Sequence, residues 1–165
     1  MSLRNSPPFR ADHVGSLLRT APLKEARAKH AKGEISADAL KTVEDREIAA
    51  IIRKQEDVGL KAVTDGEFRR AFWNYDFLGR LDGVESYLGE RKIKFEGANP
   101  KPMMLRVVGK LGTFSSHPML DHFRFLKKHA DAAGVTAKMT IPSPAVLHFR
   151  GGRNLISKQV YPDLE

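Results

Sequence analysis

The chain has 165 residues, 41% hydrophobic and 29% charged, which suits a globular core, and no apolar run long enough to span a bilayer. It has no cysteine, which excludes disulfides and thiolate-ligated metal sites within these residues, and the first eight residues lack the apolar core of a secretory signal, so a cytoplasmic location is expected. A formal net charge of +8 favours an acidic partner or substrate. The basic residues are scattered, with no zinc finger, aromatic RNA-binding strand or long basic run, so nucleic acid is a poor candidate partner and a polyanionic small-molecule tail such as a polyglutamate accounts for the charge equally well.

In chain order, Arg10-Ala11-Asp12-His13-Val14-Gly15-Ser16-Leu17-Leu18-Arg19-Thr20 is a short extended segment running into Gly-Ser before a helix. Gly15 would let a ligand approach the backbone, and Ser16 with the following N–H groups could hold a carboxylate; the alternative is a plain turn leading into the helix. A helix is predicted over residues 22–32, with Pro22 in its first turn and Gly33 past its end. Ser36 caps a longer one, from Ala37 to Val58, in which Leu40, Val43, Ile48, Ile51, Ile52 and Val58 keep a helical repeat until Gly59 stops it.

Residues 61–64 form a short buried strand whose expected pairing partner lies near residues 10–15. It delivers Val63-Thr64-Asp65-Gly66-Glu67-Phe68-Arg69-Arg70, two acids and two arginines around a glycine, to the strand's C-terminal end, where α/β enzymes keep their chemistry. The alternatives are an ordinary Asp-Gly turn and an ion pair from Glu67 to Arg69 or Arg70.

Residues 71–116 form an excursion inserted after this strand, with hairpin strands at 92–95 and 104–108 joined through Asn99-Pro100-Lys101-Pro102. The excursion covers a core or closes over a ligand, and Trp73, the single tryptophan, either packs it or faces that ligand. His117-Pro118 opens another helix, with Leu120, Phe123, Leu126 and Ala130 on its buried side until Gly134, and Val135 to Thr140 is a third main strand ending in Ile141-Pro142-Ser143-Pro144. The six histidines show no tight metal-ligand spacing. Strand, helices, strand, excursion, helix, strand is the start of a parallel α/β layer within one domain spanning 1–165. Three strands do not close a barrel, which takes roughly 250 residues, so open strand edges predict self-association.

His13-Val14-Gly15-Ser16, the Gln55-Glu56-x-x-Gly59 helix end, Thr64-Asp65-Gly66-Glu67-x-x-Arg70 and the proline-containing strand end at 141–144 together resemble the cobalamin-independent methionine synthase family, its short single-barrel members above all. The likeness covers nearly all of residues 9–165. It implies the N-terminal part of a (β/α)8 TIM barrel, incomplete as given. The activity it implies is transfer of a methyl group from a methyltetrahydrofolate carrying a polyglutamate tail to homocysteine, whose thiol a zinc ion binds as the thiolate. By the resemblance, Val14, Gly15 and Ser16 match the segment that holds the amino acid carboxylate, and Glu67 matches the acid that receives the ammonium. Asp65, Arg19 and Arg70 would support them, Asp65 by orienting one of the arginines. Phe149 is the candidate on the folate side, with a core aromatic as its alternative. The family's His, Glu and two Cys zinc ligands match no residue here, so the chain is expected to carry binding residues, no metal ligand and no turnover by itself. Two other functions stand beside this one: alkyl transfer to another thiol, such as coenzyme M with an epoxide, which would leave Glu67 without an ammonium to pair with, and a non-catalytic basic module for nucleic acid or an acidic protein.

Overall fold

The first two helices start where a hydroxyl can take up a free N–H group. In the computed structural model, which describes residues 6–7, 9, 13–89, 103–149 and 152–163, α1 spans Ala21–Ala31 and Thr20 Oγ1 accepts from Leu23 N–H at 3.4 Å, with Pro22 in the first turn. Helix α2, Ala37–Asp57, begins on Ser36, whose Oγ accepts from Ala39 N–H at 3.1 Å. It ends as Gly59, at φ +83°, returns its N–H to Glu56 O at 2.8 Å. Ile48 and Ile52 are buried as the repeat requires, but Val58, the last apolar position of that repeat, is 77% exposed because it lies past the final turn.

Strand β1, Ala62–Val63, and strand β4, Thr136–Ala137, pair in parallel with Ala62 opposite Thr136 and Val63 opposite Ala137. The pairing of β1 with residues 10–15 that the sequence suggests falls only partly within the described residues. Residues 10–12 lie outside the described set, and residues 13–15 form no strand. Gly15 sits at φ +116°, off extended geometry, and the segment is attached instead by Thr64 Oγ1 donating to Gly15 O (2.8 Å) and Leu17 N–H donating to Gly66 O (3.1 Å).

The chain folds into two compact units, one of residues 1–70 and 121–140, the other of 71–120 and 141–165. In the first, Leu23, Ile48, Ile52, Val63, Phe68, Leu126 and Ala130 form a continuous core against which Leu17, Phe123 and Phe125 pack. Burying each large side chain contributes about 1.5–3 kcal/mol, and the core fixes α1, α2 and helix α4 (Met119–Ala132), whose residues from Asp121 on lie in this unit, around β1 and β4.

The second unit contains α3 (Tyr75–Leu78), β2 (Val84–Leu88), β3 (Met103–Val107), α5 (Val146–Phe149) and a 3₁₀ turn at Gly152–Leu155. Strands β2 and β3 are antiparallel, Val84 opposite Val107 and Leu88 opposite Met103. Among the described residues the partner of β3 is therefore 84–88; the expected strand at 92–95 and the 99–102 turn lie outside the described residues. Cross-strand pairing accounts for the register: Arg106 Nη2 meets Glu85 Oε2 at 2.9 Å and its guanidinium stacks 5.2 Å from the Tyr87 ring. His117 is buried in a three-ring cluster with Phe77 and Phe114, with Nε2 2.9 Å from Phe77 O and Nδ1 accepting from Met119 N–H at 3.1 Å. Among the described residues, no helix is long and apolar enough to cross a membrane.

Candidate functional site

The end of β1 is held by a side chain that behaves like another strand. Gln55, in the last turn of α2 and 4% exposed, donates from Nε2 to Thr64 O at 2.8 Å and accepts at Oε1 from Thr64 N–H at 2.9 Å; Nε2 also reaches Ile51 O at 3.1 Å. Both backbone groups of Thr64 are thus satisfied where no neighbouring strand does so, as a buried strand end requires. The Thr64 hydroxyl then donates to Gly15 O and accepts from Gly66 N–H at 3.2 Å, joining the two sequence clusters. A Cβ on Gly15 would lie 3.1 Å from Thr64 Cγ2, so glycine allows this approach.

The chain then turns sharply through Gly66 (φ +66°) and Glu67 (φ +57°), the one non-glycine residue at positive φ among those described. Asp65 supports the turn, its Oδ1 accepting from Glu67 N–H at 2.9 Å. A Cβ at Gly66 would meet the Phe68 ring at 2.8 Å. The result is a Glu67 side chain 9% exposed at the C-terminal end of β1. Its Oε1 accepts from Arg70 Nη1 at 3.2 Å and from Thr140 Oγ1 at 3.0 Å, while Oε2 lies 4.0 Å from Arg19 Nη2. Arg70 also donates to Thr140 O.

Arg19 ties the halves of the cluster together, donating from Nη1 to Ser16 Oγ and Leu17 O, both at 3.0 Å, and from Nη2 to Glu67 O at 2.8 Å. Lys138 donates to His13 O and so fixes the start of the same segment. Gly15, Ser16, Arg19, Asp65, Glu67 and Arg70 therefore come together, with Gly15 buried and Ser16 exposed. Val14 belongs to the same segment but its side chain is 80% exposed, which leaves only its backbone for a ligand. The Glu67 to Arg70 ion pair is present, whereas Arg69 turns away to Glu44 (3.1 Å), Asp45 and the face of Phe125. Burial pushes the Asp45 carboxyl up, but hydrogen bonds from Lys41 and Arg69 outweigh it and hold the group below the usual carboxylate range. The side-chain reading of Phe149 lies outside the described residues.

Burial pushes the Asp65 carboxyl above the usual carboxylate range, only partly offset by the Glu67 N–H and by the charges of Arg70 and Arg69. A group raised in this way contributes stability that is fully present below its unfolded pKa and is lost as pH rises through the folded value. Asp65→Asn keeps the acceptor for Glu67 N–H and removes the buried charge, so it is expected to melt above the parent at pH 7. The gap should close as pH falls toward about 4. Thermal melts across that range check this, and a gain independent of pH would contradict it.

The donor set does not suit the zinc ion that the resemblance implies. The chain has no cysteine, and among the described residues no group of three His, Asp or Glu side chains could hold a metal. Sequence reasoning also missed Thr140 and Lys138. The alternation Thr136, Lys138, Thr140 at the third strand was the available signal, since residues two apart share a face. Gln55 and Thr64 stood in the quoted motifs, but nothing in their spacing announced the bond between them.

Residues 9–104 match the family model for the catalytic domain of cobalamin-independent synthase. The uncharacterized protein YxjG of Bacillus subtilis is 51% identical over 148 residues, an alignment covering 90% of this chain and 38% of that protein. A 5-methyltetrahydropteroyltriglutamate–homocysteine methyltransferase of Nitrobacter winogradskyi is 42% identical over 110 residues, covering 59% of this chain and 14% of that enzyme. A crystal structure from Listeria monocytogenes, provisionally assigned as a vitamin-B12 independent methionine synthase, superimposes with a TM-score of 0.71 at 44% identity, over 91% of this chain and 40% of that one. The α/β fold is the same, and the chain spans less than half the length of each of these relatives.

Proposed function

This chain belongs to the family of the cobalamin-independent synthase catalytic domain, and from that premise we propose that it supplies the amino-acid-binding part of a methyltransferase acting on homocysteine. The methyl donor on this reading is a methyltetrahydrofolate with a polyglutamate tail, which the net charge of +8 suits, and Phe149 remains the candidate for its pterin. The architecture is the N-terminal part of a (β/α)8 barrel with β1 and β4 as neighbouring strands, a reading supported by their parallel pairing.

The observation that carries the proposal is the Glu67 carboxylate. Oε1 is occupied by Arg70 and Thr140, while among the described residues Oε2 faces only the Arg19 guanidinium at 4.0 Å and retains lone pairs for another donor. An ammonium placed there makes a charge-assisted hydrogen bond that orients as well as attracts. The Ser16 hydroxyl and the backbone N–H groups of residues 14–16 serve the carboxylate of the same amino acid. Arg19, bonded to Ser16 Oγ and to Glu67 O, keeps the two anchor points at a fixed separation. The work of this chain is then to bind and orient the amino acid end. Activation of the thiol is not assigned to the residues described here, because they offer no metal ligand set.

Calorimetric titration with L-homocysteine, 4-mercaptobutyrate and 2-mercaptoethanesulfonate tests the reading. Homocysteine is expected to bind about tenfold or more tightly than 4-mercaptobutyrate, which has the same chain without the ammonium. Tighter binding of the sulfonate thiol than of homocysteine would put the coenzyme M type of substrate in its place.

A further inference from the structure

Three backbone carbonyls at the outer side of the 65–70 turn are gathered by two guanidinium groups. Arg19 donates to Glu67 O at 2.8 Å and to Arg70 O at 3.4 Å. Arg27, on α1, donates from Nη1 to Arg70 O at 3.0 Å and from Nη2 to Phe68 O. The turn itself is closed by Phe68 N–H to Asp65 O (3.2 Å) and Arg70 N–H to Glu67 O (3.0 Å). Phe68 O and Arg70 O take no part in that closure and are met by guanidinium groups, as the free carbonyls of a helix C-terminus favour a cation. Arg27 is held in turn by Glu44 of α2, whose Oε1 lies 3.6 Å away and whose Oε2 accepts from Arg69 Nη1 at 3.1 Å. The conformation being held is one that a residue with a Cβ rarely adopts, Glu67 at φ +57°.

We infer that Arg27 is a positioning residue for the Glu67 carboxylate. It touches no ligand. By clamping Phe68 O and Arg70 O in one fork it keeps Glu67 in the left-handed conformation and Arg70 aligned on Oε1, and Glu44 sets the direction of the fork. Lysine cannot substitute, because a single ammonium does not present two divergent donors in a rigid plane. The inference rests on the amino-acid-site reading for its ligand effect, but not for its effect on the turn.

The test compares Arg27→Lys with the parent by nuclear magnetic resonance and by homocysteine titration, with Glu67→Gln as reference. In the ligand-free protein, the Glu67 amide and Arg70 guanidinium resonances are expected to shift in Arg27→Lys, and the folded fraction should bind homocysteine about tenfold more weakly, the equivalent of one lost hydrogen bond to a charged group. Glu44→Gln, which leaves Arg27 in place but removes the carboxylate 3.6 Å from it, should move the same resonances in the same direction and serves if Arg27→Lys does not fold. A purely structural role for Arg27 would lower the melting temperature while those resonances and the affinity of the folded fraction stayed at parent values, and that result overturns the inference. Should Glu67→Gln leave homocysteine affinity unchanged, the substrate reading fails, and the resonances still decide the role of Arg27.

Discussion

Glu67→Ala is expected to destabilise the protein by about 3–5 kcal/mol, because it removes one partner of a buried ion pair and leaves the other charged. The Arg70 side chain is 4% exposed and also donates to the Thr140 carbonyl, so the lost carboxylate is an ionic partner in a site largely closed to water. Against a total stability of about 5–15 kcal/mol, such a loss is a large share. Glu67→Gly separates the two contributions in this residue. It deletes the same carboxylate but relieves the positive φ, so it should be about 1 kcal/mol less destabilised than Glu67→Ala. Urea unfolding of the parent and both variants measures this. A loss below about 1 kcal/mol for Glu67→Ala would mean that Arg70 finds water or another acid, and that the pair is not part of the scaffold.

The second large effect is expected at Gln55. Gln55→Leu keeps the buried volume but removes three hydrogen bonds and leaves both backbone groups of Thr64 unpaired in a site where Thr64 is 2% exposed. Each orphaned group costs about 1–3 kcal/mol, which puts the total for the two at about 2–6 kcal/mol. Gln55→Glu tells the donor from the acceptor. Ionised, it still accepts from Thr64 N–H but sets a negative charge against Thr64 O and Ile51 O. Protonated, it regains a donor, so Gln55→Glu should recover part of its lost melting temperature on acidification. If Gln55→Leu melts with the parent, the side-chain rung is not what holds the end of β1.

How far the fold could be read in advance depended on whether its signals were local. The helices were readable because Pro22, Ser36, Gly33 and Gly59 act within one turn of where they stand. The position of β1 was readable from an apolar run that stops at Thr64. Its pairing with residues 136–137 was not, since a two-residue strand pairs there across more than seventy residues and the match rests on tertiary packing. The pairing of β2 with β3 was missed for a related reason: β2 alternates weakly, and its register depends on Glu85 and Tyr87 meeting Arg106, which neither run announces alone.

The site divides in the same way. Gly15, Ser16, Arg19, Asp65, Glu67 and Arg70 could be proposed from two clusters rich in glycine and charge, and the structure brings them together. Arg27 could not, because it binds backbone carbonyls, and any residue has one of those. Thr140 and Lys138 meet the clusters only through the pairing of β4 with β1, so they became visible with that pairing.

The central claim is that the Glu67 carboxylate receives the ammonium of a thiol-bearing amino acid. The most direct measurement is the calorimetric comparison of L-homocysteine with 4-mercaptobutyrate, made on the parent and on Glu67→Gln. If the claim holds, the parent prefers homocysteine by about tenfold or more and Glu67→Gln, which keeps the shape of the side chain, loses most of that preference. An undiminished preference in Glu67→Gln, or none in the parent, would contradict it and leave Glu67 as a structural partner of Arg70 alone.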